Sequence, residues 1–157
     1  FQNHPEIDSI FVVCLDGWQD ILRAYSRQYN ITKLKHIVNG GATVQESTRT
    51  GVFAMKGFCK DDDIVIIHDG IRPMVDPEVL SDVIATCRQF GNGVTSLPYN
   101  EQIFKKLDDY TTREYIVRDT LRRVQTPQAY TFGKLLWAYE KAFAEEIGSL
   151  REEESYP

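Results

Sequence analysis

The stretch Asp63-Ile-Val-Ile-Ile-His-Asp-Gly-Ile-Arg-Pro73 constrains this chain more than any other. Its four consecutive apolar residues, Ile64 to Ile67, have the pattern of a strand buried on both faces, as in a parallel sheet. The run stops at His68-Asp69-Gly70, and Arg72-Pro73 follow at once. In open α/β sheets, ligands bind just outside the carboxyl ends of the strands, where Asp69 and Arg72 are expected to stand. A carboxylate three residues from a guanidinium can hold a metal, a hydroxyl and a phosphate together there. The plainer alternative is an Asp-Gly turn in which Arg72 simply pairs with Asp69, and the segment alone leaves both open.

The elements around this strand alternate. Ile10 to Cys14 read as a strand, Asp16 to Tyr29 as a helix patterned by Ile21, Leu22 and Tyr25, and Leu34 to Val38 as a second strand. After Gly40-Gly41, Thr43-Val-Gln-Glu46 is a capping-box sequence opening a helix to about Phe58. Asp76-Pro77 predicts an N-cap and first-turn proline for a helix closing near Gly91, and Val94 to Leu97 a short strand. Residues 99–118 break the alternation: Ile103-Phe104 and Tyr115-Ile116-Val117 suggest the arms of a hairpin with Asp108-Asp109 near its tip. Thr131 is expected to cap a last amphipathic helix through Leu135, Leu136, Tyr139 and Phe143. This order implies an α/β fold, a mainly parallel twisted sheet with helices on both faces, from which the hairpin protrudes as an arm.

Bulk properties narrow the function. A chain of 157 residues can bury a real core, and its formal charge of −5 argues against a nucleic-acid partner, since such binders usually carry a basic face. A small anionic substrate is still compatible, because a local cluster of Arg and Lys suffices. Cys14, Cys59 and Cys87 are widely separated without metal-ligand spacing and read as reduced, mostly buried thiols of a cytoplasmic protein. No apolar run approaches a membrane span, and no signal peptide is visible. His4, His36 and His68 suggest no metal cluster, and His68 reads as a satisfied core side chain.

Three stretches, in order, resemble the cytidylyltransferases that act on polyol phosphates, the 2-C-methyl-D-erythritol 4-phosphate and ribitol-5-phosphate cytidylyltransferase family. They are Asn39-Gly-Gly-Ala-Thr-Val-Gln-Glu-Ser47, His68-Asp-Gly-Ile-Arg-Pro73 and Val124-Gln-Thr-Pro-Gln-Ala-Tyr130, with His4 to Val13 and Trp18 also similar. The resemblance covers roughly residues 1–145. It implies a nucleotide-diphospho-sugar transferase-like fold, with a single nucleotidyltransferase-like domain over 1–148 and its β-arm at about 99–118, whereas the charged run 149–157 departs from the family pattern and reads as a solvated tail. It also implies a homodimer built through the arm, CTP and a polyol phosphate as substrates, and Mg²⁺ as cofactor. Enzymes of this family are longer at both ends, with a glycine-rich loop ending in a catalytic Arg and Lys before the first strand and another Lys near the C-terminus. The chain therefore looks like the middle of an enzyme, expected by itself to be nearly inactive.

Carried over residue by residue, the resemblance assigns Gly40, Gly41, Ala42, Ser47 and Gly70 to the nucleotide. Independently, paired glycines between a strand and a helix let backbone approach a ligand, and the first helical turn is expected to offer free amides. Asp69 is the candidate for catalysis, for substrate hydroxyls and for Mg²⁺, directly or through water, with Arg72 on the polyol phosphate side. Arg118 stands eight residues before Thr126, the spacing of the family's phosphate-positioning Arg and the Thr of Thr-Pro-Gln. A planar guanidinium suits that catalytic and substrate-binding task. Arg113, Arg122 and Arg123 lack the spacing and read as solvated. Val44 stands where the family commonly has Arg, and Gln102 where many members have Thr, which weakens methylerythritol phosphate as substrate. Competing classes fare worse. No Gly-x-Gly-x-x-Gly follows a strand, against a dehydrogenase, and Ile71 replaces the second carboxylate of an aspartyl phosphohydrolase. A non-catalytic remnant of the same fold is the alternative that stays open.

Overall fold

The computed structural model describes residues 1–144. The elements run β1 (Ile10–Cys14), α1 (Gln19–Gln28), β2 (Leu34–Asn39), α2 (Val44–Ala54), β3 (Ile64–Ile67), α3 (Pro77–Phe90), β4 (Asn92–Pro98), β5 (Ile103–Lys106), β6 (Thr112–Ile116), a 3-10 turn (Arg118–Thr120), β7 (Arg122–Thr131) and α4 (Phe132–Ala144). The expected alternation is therefore present up to β4. Among the described residues, Phe1–Val65 with residues 130–144 form one compact unit, and Ile66–Ala129 form a second. The predicted tail, 149–157, lies outside the described residues.

In the first unit β1 and β2 pair in parallel, Val12 opposite Ile37 and Val13 opposite Val38. α2 packs on both strands and on α4. Where the two helices meet, the Arg49 guanidinium lies 4.8 Å from the Phe53 ring and 4.5 Å from the Phe143 ring, an arrangement in which each ring's negative face offsets the cation. Lys56 sits 4.2 Å from the Phe53 ring and reaches Glu140 at 2.7 Å. The segment before β1 is tied down as well: Lys33 donates its amide to the Gln2 side chain at 3.0 Å and its ammonium to the His4 carbonyl at 2.7 Å.

The second unit is organised by α3. Leu80, Val83, Ile84 and Cys87 are all buried, the i, i+3, i+4, i+7 stripe of a helix facing a core. Both predicted ends are found: the Asp76 carboxylate accepts from the Glu78 amide at 2.8 Å, and Gly91 closes the helix at φ 83. The chain then turns directly into β4, which packs on α3. Gly93 permits that close approach, because a Cβ there would stand 2.4 Å from the Val83 carbonyl oxygen. Gly93→Ala is therefore expected to destabilise by about 1–3 kcal/mol, lowering Tm by several degrees. Gly70→Ala, where a Cβ meets nothing within 4 Å, is the control in the same thermal melts. Equal Tm values for the two variants would refute the packing argument.

Four expectations need correction. The region after the hairpin contains β7, a ten-residue strand that lies between β3 and β4 in a three-stranded sheet and that is absent from the expected order of elements. Its sequence carries Pro127, which normally argues against a central strand because it lacks an amide donor. Here Pro127 is buried after a cis bond from Thr126, and its carbonyl accepts the Thr95 hydroxyl at 2.8 Å. α1 starts at Gln19 and not at Asp16: Gly17 takes φ 82, and the Asp16 carboxylate accepts from the Asn39 side-chain Nδ2 at 3.0 Å. α2 stops at Ala54, short of Phe58, and Gly57 turns the chain at φ 84. Finally, α4 is capped by main chain and not by the Thr131 hydroxyl. β7 runs straight into α4, whose first amides meet the carbonyls of Asp63 (2.8 Å) and Asp61 (3.0 Å).

Candidate functional site

In the second unit, the end of β3 gathers three of the expected residues. Arg72 donates its Nε to the Asp69 carboxylate at 3.1 Å, and the Arg72 amide meets the Asp69 carbonyl at 3.0 Å. The Asp69 amide donates to the Thr126 hydroxyl at 3.2 Å, joining the β3 end to the Thr-Pro-Gln segment across 57 residues of sequence. His68 is half-buried and its Nε2 lies 2.8 Å from the Arg72 carbonyl oxygen, so the imidazole braces the turn. The Asp69–Arg72 pair is open to solvent at 43% and 41% side-chain exposure, so it adds little to stability and both groups are accessible to a ligand. Gly70 is exposed on the same turn. Among the described residues no three His, Cys, Asp or Glu side chains gather as a metal cluster. Asp69 alone suits a cation that keeps its waters and binds chiefly to phosphates, as Mg²⁺ does.

In the first unit, the Gly40–Thr43 turn joins β2 to α2, and all four of its amides are bonded. The Gly40 amide meets the Cys14 carbonyl at 2.8 Å, and the Gly41 amide meets Ser47 Oγ at 3.0 Å. The Ala42 and Thr43 amides both meet Glu46 Oε2, at 2.7 and 3.3 Å. The Thr43 hydroxyl accepts from the Glu46 amide at 3.1 Å, completing the predicted capping box. The amides of the turn itself, though not those of Val44 and Gln45 in the first helical turn, are thus committed within the protein, and the Glu46 carboxylate occupies the place an anion on the Ala42 and Thr43 amides would take. The glycine at 41 is nonetheless required, since a Cβ would fall 2.3 Å from Glu46 Cβ. The side chain of Val44, the position without the expected Arg, is exposed.

The predicted hairpin is β5 and β6, with Phe104 opposite Tyr115. Asp108 builds its tip. The Thr111 hydroxyl first, then the amides of Tyr110 and Thr111, hold its carboxyl below the usual carboxylate range. Arg118 opens the 3-10 turn after β6. Its Nε is only 4.0 Å from the exposed Asp119 carboxylate, and it makes no hydrogen bond or ion pair with Asp69, Arg72 or Thr126. Arg113, Arg122 and Arg123 are exposed, as expected of solvated arginines. Of the cysteines, Cys87 is buried while Cys14 and Cys59 are half-buried, and none of them forms a disulfide. Among the described residues no helix is long and apolar enough to cross a membrane.

Comparison with known proteins completes the picture. The chain is 53% identical over 148 residues to the ribitol-5-phosphate cytidylyltransferase of Lacticaseibacillus paracasei, covering 94% of this chain and 63% of that protein. It is 34% identical over 146 residues to the 2-C-methyl-D-erythritol 4-phosphate cytidylyltransferase of Geobacter metallireducens, covering 92% and 62%. Among solved structures it is similar to 4-diphosphocytidyl-2C-methyl-D-erythritol synthase from Anaerococcus prevotii, with a TM-score of 0.79 at 27% identity, covering 90% of this chain and 60% of that one. The chain thus spans about three-fifths of the length of the curated relatives it matches. Because residues 1–153 match the family model as well, the chain belongs to the 2-C-methyl-D-erythritol 4-phosphate cytidylyltransferase family.

Proposed function

We propose that this chain is the core of a CTP-dependent cytidylyltransferase that joins CMP to a polyol phosphate and releases pyrophosphate. A phosphate oxygen of the polyol phosphate attacks the α-phosphorus of CTP, a new P–O bond forms, and the bridging oxygen leaves with the β- and γ-phosphates. Such transfers require positioning and charge neutralisation more than covalent participation by the protein. The observation that carries the reading is the Asp69–Arg72–Thr126 constellation at a strand's carboxyl end, in a chain of this family. Asp69 serves the substrate hydroxyls or a Mg²⁺-bound water, Arg72 and Arg118 serve the polyol phosphate, and Thr126 fixes the Asp69 backbone. Mg²⁺, when bound, neutralises charge on the nucleotide and the departing pyrophosphate.

Ribitol 5-phosphate is the preferred acceptor in this reading. Support comes from the name of the relative at 53% identity and from Gln102 in place of the common Thr. A homodimer through the β5–β6 arm is part of the proposal. A two-stranded hairpin is marginal alone, and this one exposes Phe104, Leu107, Tyr110 and Tyr115. Pyrophosphate release by the full-length protein with CTP and Mg²⁺ tests the function, comparing ribitol 5-phosphate, methylerythritol 4-phosphate and glycerol 3-phosphate. Release with ribitol 5-phosphate above the others is the expected result, and none with any acceptor would refute the activity.

A further inference from the structure

We propose that Glu46 is a positioning residue for the nucleotide, acting by locking the Gly40–Thr43 turn. The inference rests on the cytidylyltransferase reading and extends it to a residue outside the family motif's assigned contacts. All four amides of the turn are committed within the protein, two of them to the one Glu46 oxygen. A ligand therefore meets this turn through the carbonyl oxygens of Gly40, Gly41 and Ala42, since that of Thr43 accepts the Ser47 amide at 2.9 Å, and through the Ser47 hydroxyl. Ser47 Oγ already accepts from Gly41, which leaves its proton to donate. Such a surface matches the donor groups of a nucleoside, its amino and hydroxyl groups, better than a triphosphate. The Glu46 carboxylate reinforces the choice, because a phosphate on the same amides would face it as a like charge.

The turn's geometry hangs on this one side chain. Glu46 comes back from the first turn of α2 to hold Ala42 and Thr43, and Gly41 is stripped of a Cβ so that Glu46 can pass at 2.3 Å from where one would be. A shorter side chain at this position lets the Ala42 and Thr43 amides reorient toward water, and the carbonyls turn with them. Gln at the same place of a capping box keeps an acceptor oxygen within reach of those amides.

Steady-state kinetics of the full-length protein test this with Glu46→Ala and Glu46→Gln, with thermal melts of each. In Glu46→Ala the KM for CTP is expected to rise about tenfold, with kcat within about threefold and the KM for the polyol phosphate unchanged. Glu46→Gln should recover most of the CTP affinity. A purely stabilising cap would lower Tm and leave the KM of the folded fraction alone. An unchanged KM for CTP in Glu46→Ala, equal losses for both substrates, or a Gln variant as poor as Ala would each overturn the proposal. Failure of the wild type to use CTP at all would instead sink the cytidylyltransferase reading, and this inference with it.

Discussion

Asp69→Asn is expected to lower kcat/KM by about 10²- to 10³-fold while leaving the fold intact, the range seen when one preorganised electrostatic contact is removed from a transition state. Asn keeps the size of the side chain but not its charge, so neither a Mg²⁺-bound water nor the Arg72 guanidinium is held as before. The separation of activity from stability follows from exposure. The Asp69–Arg72 pair is two-fifths open to solvent, and exposed pairs contribute about 0–1 kcal/mol. The melting curve of Asp69→Asn should therefore nearly overlay that of the wild type. Titration with Mg²⁺ adds a second readout, since a weakened metal contact raises the concentration needed for half-maximal rate. Asp109→Asn, another exposed carboxylate paired with a cation, Lys106 at 2.6 Å, serves as control. Comparable activity losses in the two variants would refute a special role for Asp69.

The parts of this molecule that were legible in the sequence are those governed by neighbours along the chain. Helix boundaries at Asp76 and Gly91 follow from a side chain bonding an amide two residues away and from a φ that glycine tolerates. The Thr43–Glu46 box works the same way, and Ile64 to Ile67 announce a strand by composition alone, although only Val65 is fully buried and the other three are half-buried. What escaped is non-local or depends on occupancy. β7 is a strand because β3 and β4 flank it, and its Thr-Pro-Gln sequence has no strand signature of its own. The bond from the Asp69 amide to Thr126 joins residues 57 apart, which no local pattern can foretell. Glu46 shows a subtler limit: the capping box was readable, but its consequence was not. A side chain that satisfies Thr43 also reaches Ala42, and so commits two amides just ahead of the helix that would otherwise face a ligand.

Arg118 offers the test that reaches beyond a single active site. Its side chain is 56% exposed and rests only loosely beside Asp119, so the guanidinium is available to close on a phosphate without breaking a strong native contact. Arg118→Ala in the full-length protein should lower kcat/KM for the polyol phosphate by about 10- to 150-fold, the equivalent of one charged hydrogen bond. The KM for CTP should stay nearly constant. Arg118→Lys should recover only part of the loss, because an ammonium supplies charge without the two-pronged geometry of guanidinium. If the proposed arm-mediated dimer carries Arg118 into the partner's site, mixing Arg118→Ala with Asp69→Ala protomers restores activity, since one of the two sites in each heterodimer then holds both native residues. Were Arg118 to act within its own protomer, each site would lack one residue and mixing would restore nothing. Equal losses toward CTP and the polyol phosphate, or an effect no larger than that of Arg113→Ala, would remove Arg118 from the site altogether.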